Sequence, residues 1–303
     1  MKLRTLFLPL VLSAVLLGCS SKEKPAGTVT PVPTISAGNL TGTDSGDTID
    51  APAGTPTAAD SHNDPASPTI APTAPPTPIV VNTDTSTVTY LVNREYPLTE
   101  DFVPEGLMTP DILFPFSDTT IDKAKMVPVA AYALDELFDA AYDEEHLLLY
   151  GVSAYRSFTR QYTIYATNLA VYGTAHSNRY SAAPGTSEHQ TGLVIDISCR
   201  SEGFDLEETF ADTPEGKWVA ENAHRFGFII RYPKGKEAIT GYSYEPWHLR
   251  YVGNELAAYL YETGLTLDEY YGVPCTLTEE YLNTTPLIDT TTDRYQSIYR
   301  QYH

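Results

Sequence analysis

Two short stretches of the chain carry side chains that can bind a metal ion and transfer protons. In SEHQTGLVIDIS, His189 precedes Asp196 by seven positions, and the aspartate stands among apolar residues. In YEPWHLRYVG, Glu245 precedes His248 by three positions. Two imidazoles and one carboxylate commonly hold Zn²⁺ while a fourth position stays open for water. The residue types therefore favour His189, Asp196 and His248 as zinc ligands contributed by two separate segments.

A metal-assisted hydrolysis also needs a base that takes a proton from water without binding the ion. A bound zinc ion lowers the pKa of its water to about 7 and polarises a carbonyl. Because Glu245 is close in sequence to His248, its carboxylate is expected beside the reacting water and would pass the proton to the leaving amine. The metal would also neutralise Asp196, whose unpaired charge is costly inside an apolar strand.

Each of these residues has a simpler interpretation when it is taken alone. Asp196 fits a surface acid on a half-exposed strand, because strand geometry puts it on the face opposite Ile197. His189 fits a hydrogen-bonded loop histidine, and Glu245 with His248 fits an edge-strand pair. The metal hypothesis therefore depends on the occurrence of all four residues together.

Composition limits the classes of function. The 303 residues include 19 Lys and Arg against 39 Asp and Glu, which gives a formal net charge of −20. A nucleic-acid-binding protein needs a basic face, so this charge argues against nucleic acid as a partner. The chain also contains no G-x-S-x-G stretch, which argues against a Ser-His-Asp hydrolase.

Residues 1–19 are typical of an export signal. A basic start precedes an apolar run from Leu6 to Leu17, shorter than the roughly 20 residues of a membrane-spanning helix. The run ends in LLGC, which resembles a bacterial lipobox, where the cysteine is lipidated and becomes the new N-terminus. Cys19 is therefore expected to anchor an extracytoplasmic protein in the bacterial cell membrane. An ordinary signal peptide with an incidental cysteine is the alternative.

Composition divides the remaining chain into three parts. Residues 20–86 are rich in Thr, Pro and Ala and lack aromatic residues, so they are predicted to form a disordered tether. Residues 87–272 have the apolar patterns of a folded domain and contain the catalytic candidates. Residues 273–303 are a polar extension to which no structure is assigned. Cys199 and Cys275 are compatible with a disulfide or with two free thiols.

Helices and strands alternate irregularly in the folded domain, which favours the α+β class, a small antiparallel sheet flanked by helices. Strands are predicted in LLLYGVSAY, LVIDIS, FIIRYP and HLRYVG. Helices are predicted in PVAAYALDELFDAAYDEEH, SFTRQYTIYATNLAVYG, DTPEGKWVAENAHRFG and NELAAYLYETG. Ser157, Thr213 and Asn254 are predicted helix caps, and Gly173 is a predicted helix end before a loop.

Three stretches together resemble a known enzyme family. PGTSEHQTGLVIDIS, TGYSYEPWHLRYVG and SAYRSFTRQ are similar to the zinc-dependent D-alanyl-D-alanine carboxypeptidases of the VanY type. The pattern S-x-H-x-x-G-x-x-x-D joined to E-P-W-H is specific, and the resemblance extends from about Tyr90 to about Tyr271. Val194 stands where the family usually has Ala, a conservative change. The resemblance implies a Hedgehog/D-Ala-D-Ala peptidase-like fold with a zinc site in a cleft.

Carried onto the matching positions, the resemblance implies that His189, Asp196 and His248 bind zinc and that Glu245 is the general base. It also implies the reaction, which is removal of the C-terminal D-alanine from peptidoglycan stem peptides. The close alternative is an L,D-carboxypeptidase acting on tetrapeptide stems, and a more distant one is a non-catalytic module that binds the cell wall. A monomer would reach the wall most freely from a membrane tether.

The resemblance also implies roles for residues around the metal. Arg156 would stabilise the oxyanion or the terminal carboxylate of the substrate, which suits its planar and permanently charged fork. A surface salt bridge is the alternative for Arg156. Gln161 and Ser187 are implied as substrate contacts, although Ser187 equally suits a plain turn. Trp247 is expected to pack, with its ring against the metal cleft.

Overall fold

Residues 79–303 are described by the structure, which is a computed structural model. The predicted signal peptide with Cys19, and the predicted tether as far as residue 78, lie outside the described residues. Within residues 79–303, none of the helices has both the length and the apolar character of a membrane span.

Eight α-helices, four β-strands and four short 3-10 helices make up the regular structure of residues 79–303. The helices are α1 (Pro128–Glu145), α2 (Phe158–Tyr180), α3 (Pro214–Asn222), α4 (Glu237–Thr240), α5 (Asn254–Thr263), α6 (Leu267–Tyr271), α7 (Glu279–Thr284) and α8 (Asp293–Tyr302). The strands are β1 (Leu149–Ser153), β2 (Val194–Cys199), β3 (Phe228–Tyr232) and β4 (Glu245–Tyr251). A 3-10 helix, Glu188–Thr191, precedes β2.

The four strands form one antiparallel sheet in the order β1-β2-β4-β3, which confirms the predicted α+β class with a small antiparallel sheet. The central pair of strands is β2 and β4, and in their register Asp196 lies opposite His248. Because side chains alternate between the two faces of a strand, a slip of one residue would turn Asp196 away from His248. The pairing of these two strands therefore positions two of the three predicted ligands.

Strand β2 is buried along its whole length. Its residues Ile195 and Ile197 are fully buried in the main core with Leu134 and Leu137 of α1, as the alternation predicts. Burial of an aliphatic side chain of this size contributes about 1.5–3 kcal/mol to the free energy of unfolding. On the opposite face Asp196 is only 4% exposed, so it is not a surface acid.

Two of the three predicted helix caps are confirmed. The hydroxyls of Ser157 and Thr213 each accept a hydrogen bond from the backbone N–H three residues later, at 3.3 and 2.9 Å. The prediction for Asn254 is wrong, because Asn254 is already helical and Gly253, with φ +82°, occupies the cap position. Gly253 supplies the positive φ that the chain needs between β4 and α5.

The predicted end of α2 at Gly173 is also wrong in part. Gly173 has non-helical angles, φ +80° and ψ 179°, so it kinks the helix, but the predicted loop is helical as far as Tyr180. Asn178 in this second segment donates hydrogen bonds to the carbonyls of Leu282 and Thr285, at 2.7 and 2.9 Å. The segment that the local sequence predicts as a loop is therefore helical, and it is hydrogen-bonded to a part of the chain 104–107 residues away.

The C-terminal extension, residues 273–303, contributes α7 and α8, which pack on α2. Tyr295 of α8 is buried in a small core with Tyr162 and Leu169 of α2. Cys275, at the beginning of the extension, and Cys199 are both free thiols, so packing and hydrogen bonds hold the extension in place.

Gly192 is expected to be a costly position for any side chain, because it joins the 3-10 helix to β2 with φ +70°. A Cβ at Gly192 would lie 3.0 Å from Leu107 and 3.1 Å from Val127. Gly264 is a matched control, with φ +67° and open space around the added Cβ. We expect Gly264→Ala to lower the free energy of unfolding by about 1–2 kcal/mol from the left-handed conformation alone. Gly192→Ala should lower it by more, since it adds the clash to the strain.

Urea denaturation of the two variants and the wild type measures both costs. Equal losses in the two variants would contradict a tightly packed connection between the 3-10 helix and β2.

Candidate active site

Three predicted ligands come together in the fold. Ligand atoms of His189, Asp196 and His248 lie within 4.8 Å of one another, and all three side chains are buried. His189 Nε2 lies 3.3 Å from Asp196 Oδ2, and His248 Nδ1 lies 3.2 Å from Asp196 Oδ1. The pairing of β2 with β4 places Asp196 beside His248, and the 3-10 helix before β2 carries His189. The arrangement brings one oxygen and two nitrogen donors to one place.

The unsatisfied polar atoms at this place fit a metal ion. Among the described residues, Asp196 Oδ1 is buried without a hydrogen-bond partner, although His248 Nδ1 is only 3.2 Å away. A buried polar atom without a partner is costly, and a close approach without hydrogen-bond geometry suits two ligands of one ion. Two imidazole nitrogens and a carboxylate oxygen are a donor set typical of Zn²⁺ with an open position.

His189 is held in the form that binds metals. Its Nδ1 lies 2.7 Å from the carbonyl oxygen of Ala154, which can only accept, so Nδ1 carries the proton and donates it. The lone pair of Nε2 then faces Asp196. Burial lowers the pKa of His189, and the charge of Arg156 lowers it further against the opposing effect of Asp196, which favours the neutral imidazole. Such a hydrogen bond on the second nitrogen is the usual support of a metal-binding histidine.

Glu245 lies at the start of β4 beside the three predicted ligands. Its Oε2 is 3.4 Å from His248 Nδ1, and its side chain retains 15% exposure toward the cleft. Burial raises the pKa of Glu245 to about 7, with the charge of Asp196 acting in the same direction and those of His248 and Arg156 opposing it. A carboxylate with a pKa near neutrality exchanges protons readily at physiological pH.

The pKa of His248 reflects the acids around it. Burial by itself lowers this pKa, but the neighbouring carboxylates of Asp196, Glu188 and Glu245 raise it to about 9. The raised pKa favours a protonated, positively charged His248 when no cation is bound.

Arg156 lies between β1 and α2 and reaches into the same cleft. Its Nη1 donates to Gln161 Oε1 at 2.9 Å, its Nη2 donates to Ser153 Oγ at 3.1 Å, and Nη2 lies 3.7 Å from Asp196 Oδ2. Gln161 is 1% exposed and also donates to the carbonyl of Ala182 at 2.6 Å. Both ends of the Gln161 amide are thus engaged within the protein, and one of them holds Arg156.

A cleft of about 760 Å³ contains all the predicted site residues. Ser187 lines it and is 3% exposed, and Trp247 forms part of its wall, as predicted from its place beside His248. His176 and Tyr180, in the segment of α2 after its kink, also line the cleft. The sequence alone assigns His176 to a polar loop, so this part of the cleft depends on the unpredicted continuation of α2.

Charged residues behind the ligands are absent from the sequence-based candidates. Arg231 and Arg250 are almost completely buried, and both contact the buried carboxylate of Glu188. Each arginine interrupts an apolar strand, in FIIRYP and HLRYV, as Asp196 does in LVIDIS. The anomaly that identifies Asp196 could therefore have identified both arginines.

Three comparisons with known proteins all find similarity to carboxypeptidases. The family model for VanY, D-alanyl-D-alanine carboxypeptidase, matches residues 123–254. A Bacillus subtilis (strain 168) protein named "Putative carboxypeptidase YodJ" is 49% identical over 181 residues, covering 60% of this chain and 66% of the relative. This chain therefore spans just under two thirds of that relative.

Two further matches cover most of the length of the relative. A bifunctional D-Ala-D-Ala dipeptidase and carboxypeptidase, VanXYC of Enterococcus gallinarum, is 34% identical over 183 residues, covering 60% of this chain and 92% of the relative. A solved structure of the LdcB LD-carboxypeptidase is 46% identical, covers 63% of this chain and 88% of its own, and has a TM-score of 0.60. The chain thus belongs to the VanY D-alanyl-D-alanine carboxypeptidase family of hydrolases.

Proposed function

We propose that this protein is a zinc-dependent D-alanyl-D-alanine carboxypeptidase that removes the C-terminal D-alanine from peptidoglycan stem peptides. The observation that carries the proposal is the buried triad of His189, Asp196 and His248, with Glu245 beside it in an open cleft. The name of the Enterococcus gallinarum relative, which includes D-Ala-D-Ala carboxypeptidase, supports this choice of substrate.

The proposed reaction assigns separate tasks to the ion and to the side chains. Zinc held by His189, Asp196 and His248 would supply Lewis acidity toward the carbonyl and a water of lowered pKa. The carboxylate of Glu245 takes the proton that the attacking water loses. Glu245 then gives this proton to the nitrogen of the leaving D-alanine as the C–N bond breaks.

Arg156 supplies the positive charge on the substrate side of the cleft. Ser153 and Gln161 hold its guanidinium through one hydrogen bond each, so the charge is fixed before the substrate binds. A fixed cation stabilises a developing oxyanion or a terminal carboxylate without reorganisation. In this proposal Gln161 acts through Arg156, whereas Ser187 contacts the substrate directly.

The second candidate is an L,D-carboxypeptidase that acts on tetrapeptide stems. The similarity to LdcB, an LD-carboxypeptidase, at 46% identity and a TM-score of 0.60 favours it. A non-catalytic wall-binding module would not need Glu245 beside the triad, so the presence of all four residues speaks against this third reading.

We also propose that the protein is a monomer, lipid-anchored at Cys19 to the outer side of the cell membrane. Residues 20–86 would tether the catalytic domain and let it reach peptidoglycan. The basis for this part is the export signal and the LLGC motif in the sequence.

Incubation of the purified full chain and zinc with two stem peptides tests the substrate. One peptide ends in D-Ala-D-Ala and the other in a single D-Ala, and mass spectrometry detects the loss of one alanine. We expect cleavage of the pentapeptide. Cleavage of the tetrapeptide alone would establish the L,D activity instead, and cleavage of neither would favour the binding module.

Variants of the site separate metal binding from proton transfer. Glu245→Gln should keep bound zinc and lower turnover by about 10²–10⁴-fold, because it removes only the base. His189→Ala should lose both zinc and activity. His224→Ala is the matched control, since this histidine stacks on Tyr261 outside the cleft and should leave both unchanged. Zinc content by mass spectrometry and turnover of the pentapeptide measure the effects, and unchanged turnover in Glu245→Gln would refute the assigned base.

The anchor is tested by Cys19→Ser in a bacterial host. We expect the wild type in the membrane fraction and labelled by a fatty acid, and the variant released and unlabelled. A variant that remains labelled in the membrane fraction would exclude Cys19 as the lipidation site.

A further inference from the structure

Four buried charges lie directly behind the metal-ligand triad. Glu188, Arg231, Arg250 and Asp268 are each at most 1% exposed. Arg231 Nε and Arg250 Nη1 donate to Glu188 Oε1 at 2.8 and 2.9 Å, and Arg231 also donates to both oxygens of Asp268, at 2.5 and 3.1 Å. The formal charges cancel, but buried ion pairs are a weak source of stability. Stability alone therefore does not account for this cluster.

One oxygen of Glu188 stays outside these ion pairs. In the part of the chain that the structure describes, Glu188 Oε2 and His248 Nε2 are both buried and both lack a hydrogen-bond partner. The two atoms face each other at 3.8 Å, which is longer than a formed hydrogen bond. The other nitrogen of the ring, Nδ1, faces Asp196 Oδ1 at 3.2 Å. The imidazole of His248 therefore lies between a ligand carboxylate and Glu188.

We propose that Glu188 is a positioning residue that accepts the Nε2–H of His248 and so leaves Nδ1 free to bind the metal. Metal-binding histidines usually donate their other N–H to a carboxylate or a carbonyl, which fixes the tautomer and the ring orientation. The carbonyl of Ala154 does this for His189. Glu188 does the same for His248, and its negative charge raises the basicity of the imidazole nitrogen that binds the metal. This inference rests on the proposed metal site.

The arginines explain why Glu188 can fill this role. Both direct an N–H at the same oxygen, Oε1, which keeps that oxygen turned away from His248 and leaves Oε2 toward it. They also balance the charge of Glu188. Asp268 holds Arg231 from the far side and itself accepts from Asn93 Nδ2 at 2.9 Å. In the described residues no hydrogen bond or ion pair joins Asp268 to His248, so Asp268 belongs to the cluster without bonding to this histidine.

Glu188→Gln tests the proposal at the level of single atoms. The arginine N–H groups require an acceptor, so the amide oxygen takes the place of Oε1 and the amide NH₂ faces His248 Nε2. A donor at this point favours the tautomer with the proton on Nδ1, which blocks the metal-binding nitrogen. We expect the zinc dissociation constant of the full chain to rise by about 10–100-fold.

Asp268→Asn is the matched control, because it removes one negative charge from the same buried cluster. It should lower the free energy of unfolding without a comparable loss of zinc affinity. Competition with a chelator of known affinity measures the dissociation constants, and urea denaturation measures the stabilities. Wild-type affinity in Glu188→Gln, or equal losses of affinity in both variants, would overturn the proposal.

A spectroscopic measurement covers the case in which Glu188→Gln does not fold. In the zinc-loaded wild type, the ¹⁵N spectrum should show His248 with a proton on Nε2 and the metal on Nδ1. A proton on Nδ1 of His248 would overturn the inference. If the wild type binds no zinc, the proposed function fails together with it, whereas zinc binding that is indifferent to Glu188 removes this inference alone.

Discussion

The carboxylate of Asp196 has been removed from water, and the surrounding structure is arranged around that charge. Burial alone would raise the pKa of Asp196, but the neighbouring His189 and His248 outweigh burial and hold the pKa far below its usual range. An isolated buried carboxylate would cost several kcal/mol. Compensation of this one charge requires that three segments, which are distant in sequence, keep a fixed relation to one another.

The sheet separates apolar packing from charge. One face packs against α1 through side chains such as Ile195 and Leu249, which belong to the main hydrophobic core of the described residues. The other face carries Asp196 and His248, with Glu188 and its arginines behind them. Packing of the apolar face fixes the pairing register of the strands. This register keeps the side chains of Asp196 and His248 close together on the other face. A site on a strongly paired sheet is thereby preorganised for its ligand.

The cleft also depends on parts of the chain beyond the family match, which ends at residue 254. The extension that carries α7 and α8 packs on α2, and α2 carries Gln161, which holds Arg156. Residues after the kink at Gly173 line the cleft, and Asn178 in the same segment is hydrogen-bonded to α7. The shape of the cleft therefore depends on the C-terminal extension and α2 as well as on the segments that carry His189, Asp196 and His248.

The sequence by itself determined the features that depend on neighbouring residues. Caps such as Thr213 and the alternation that turns Ile195 inward follow from local geometry. The residue types of His189, Asp196 and His248 indicate metal-binding chemistry. The tertiary structure alone decided how far α2 continues past Gly173, which residue caps α5, and that Glu188 faces His248. These features depend on partners brought close through space, and a spacing along the chain does not encode a distance across a sheet.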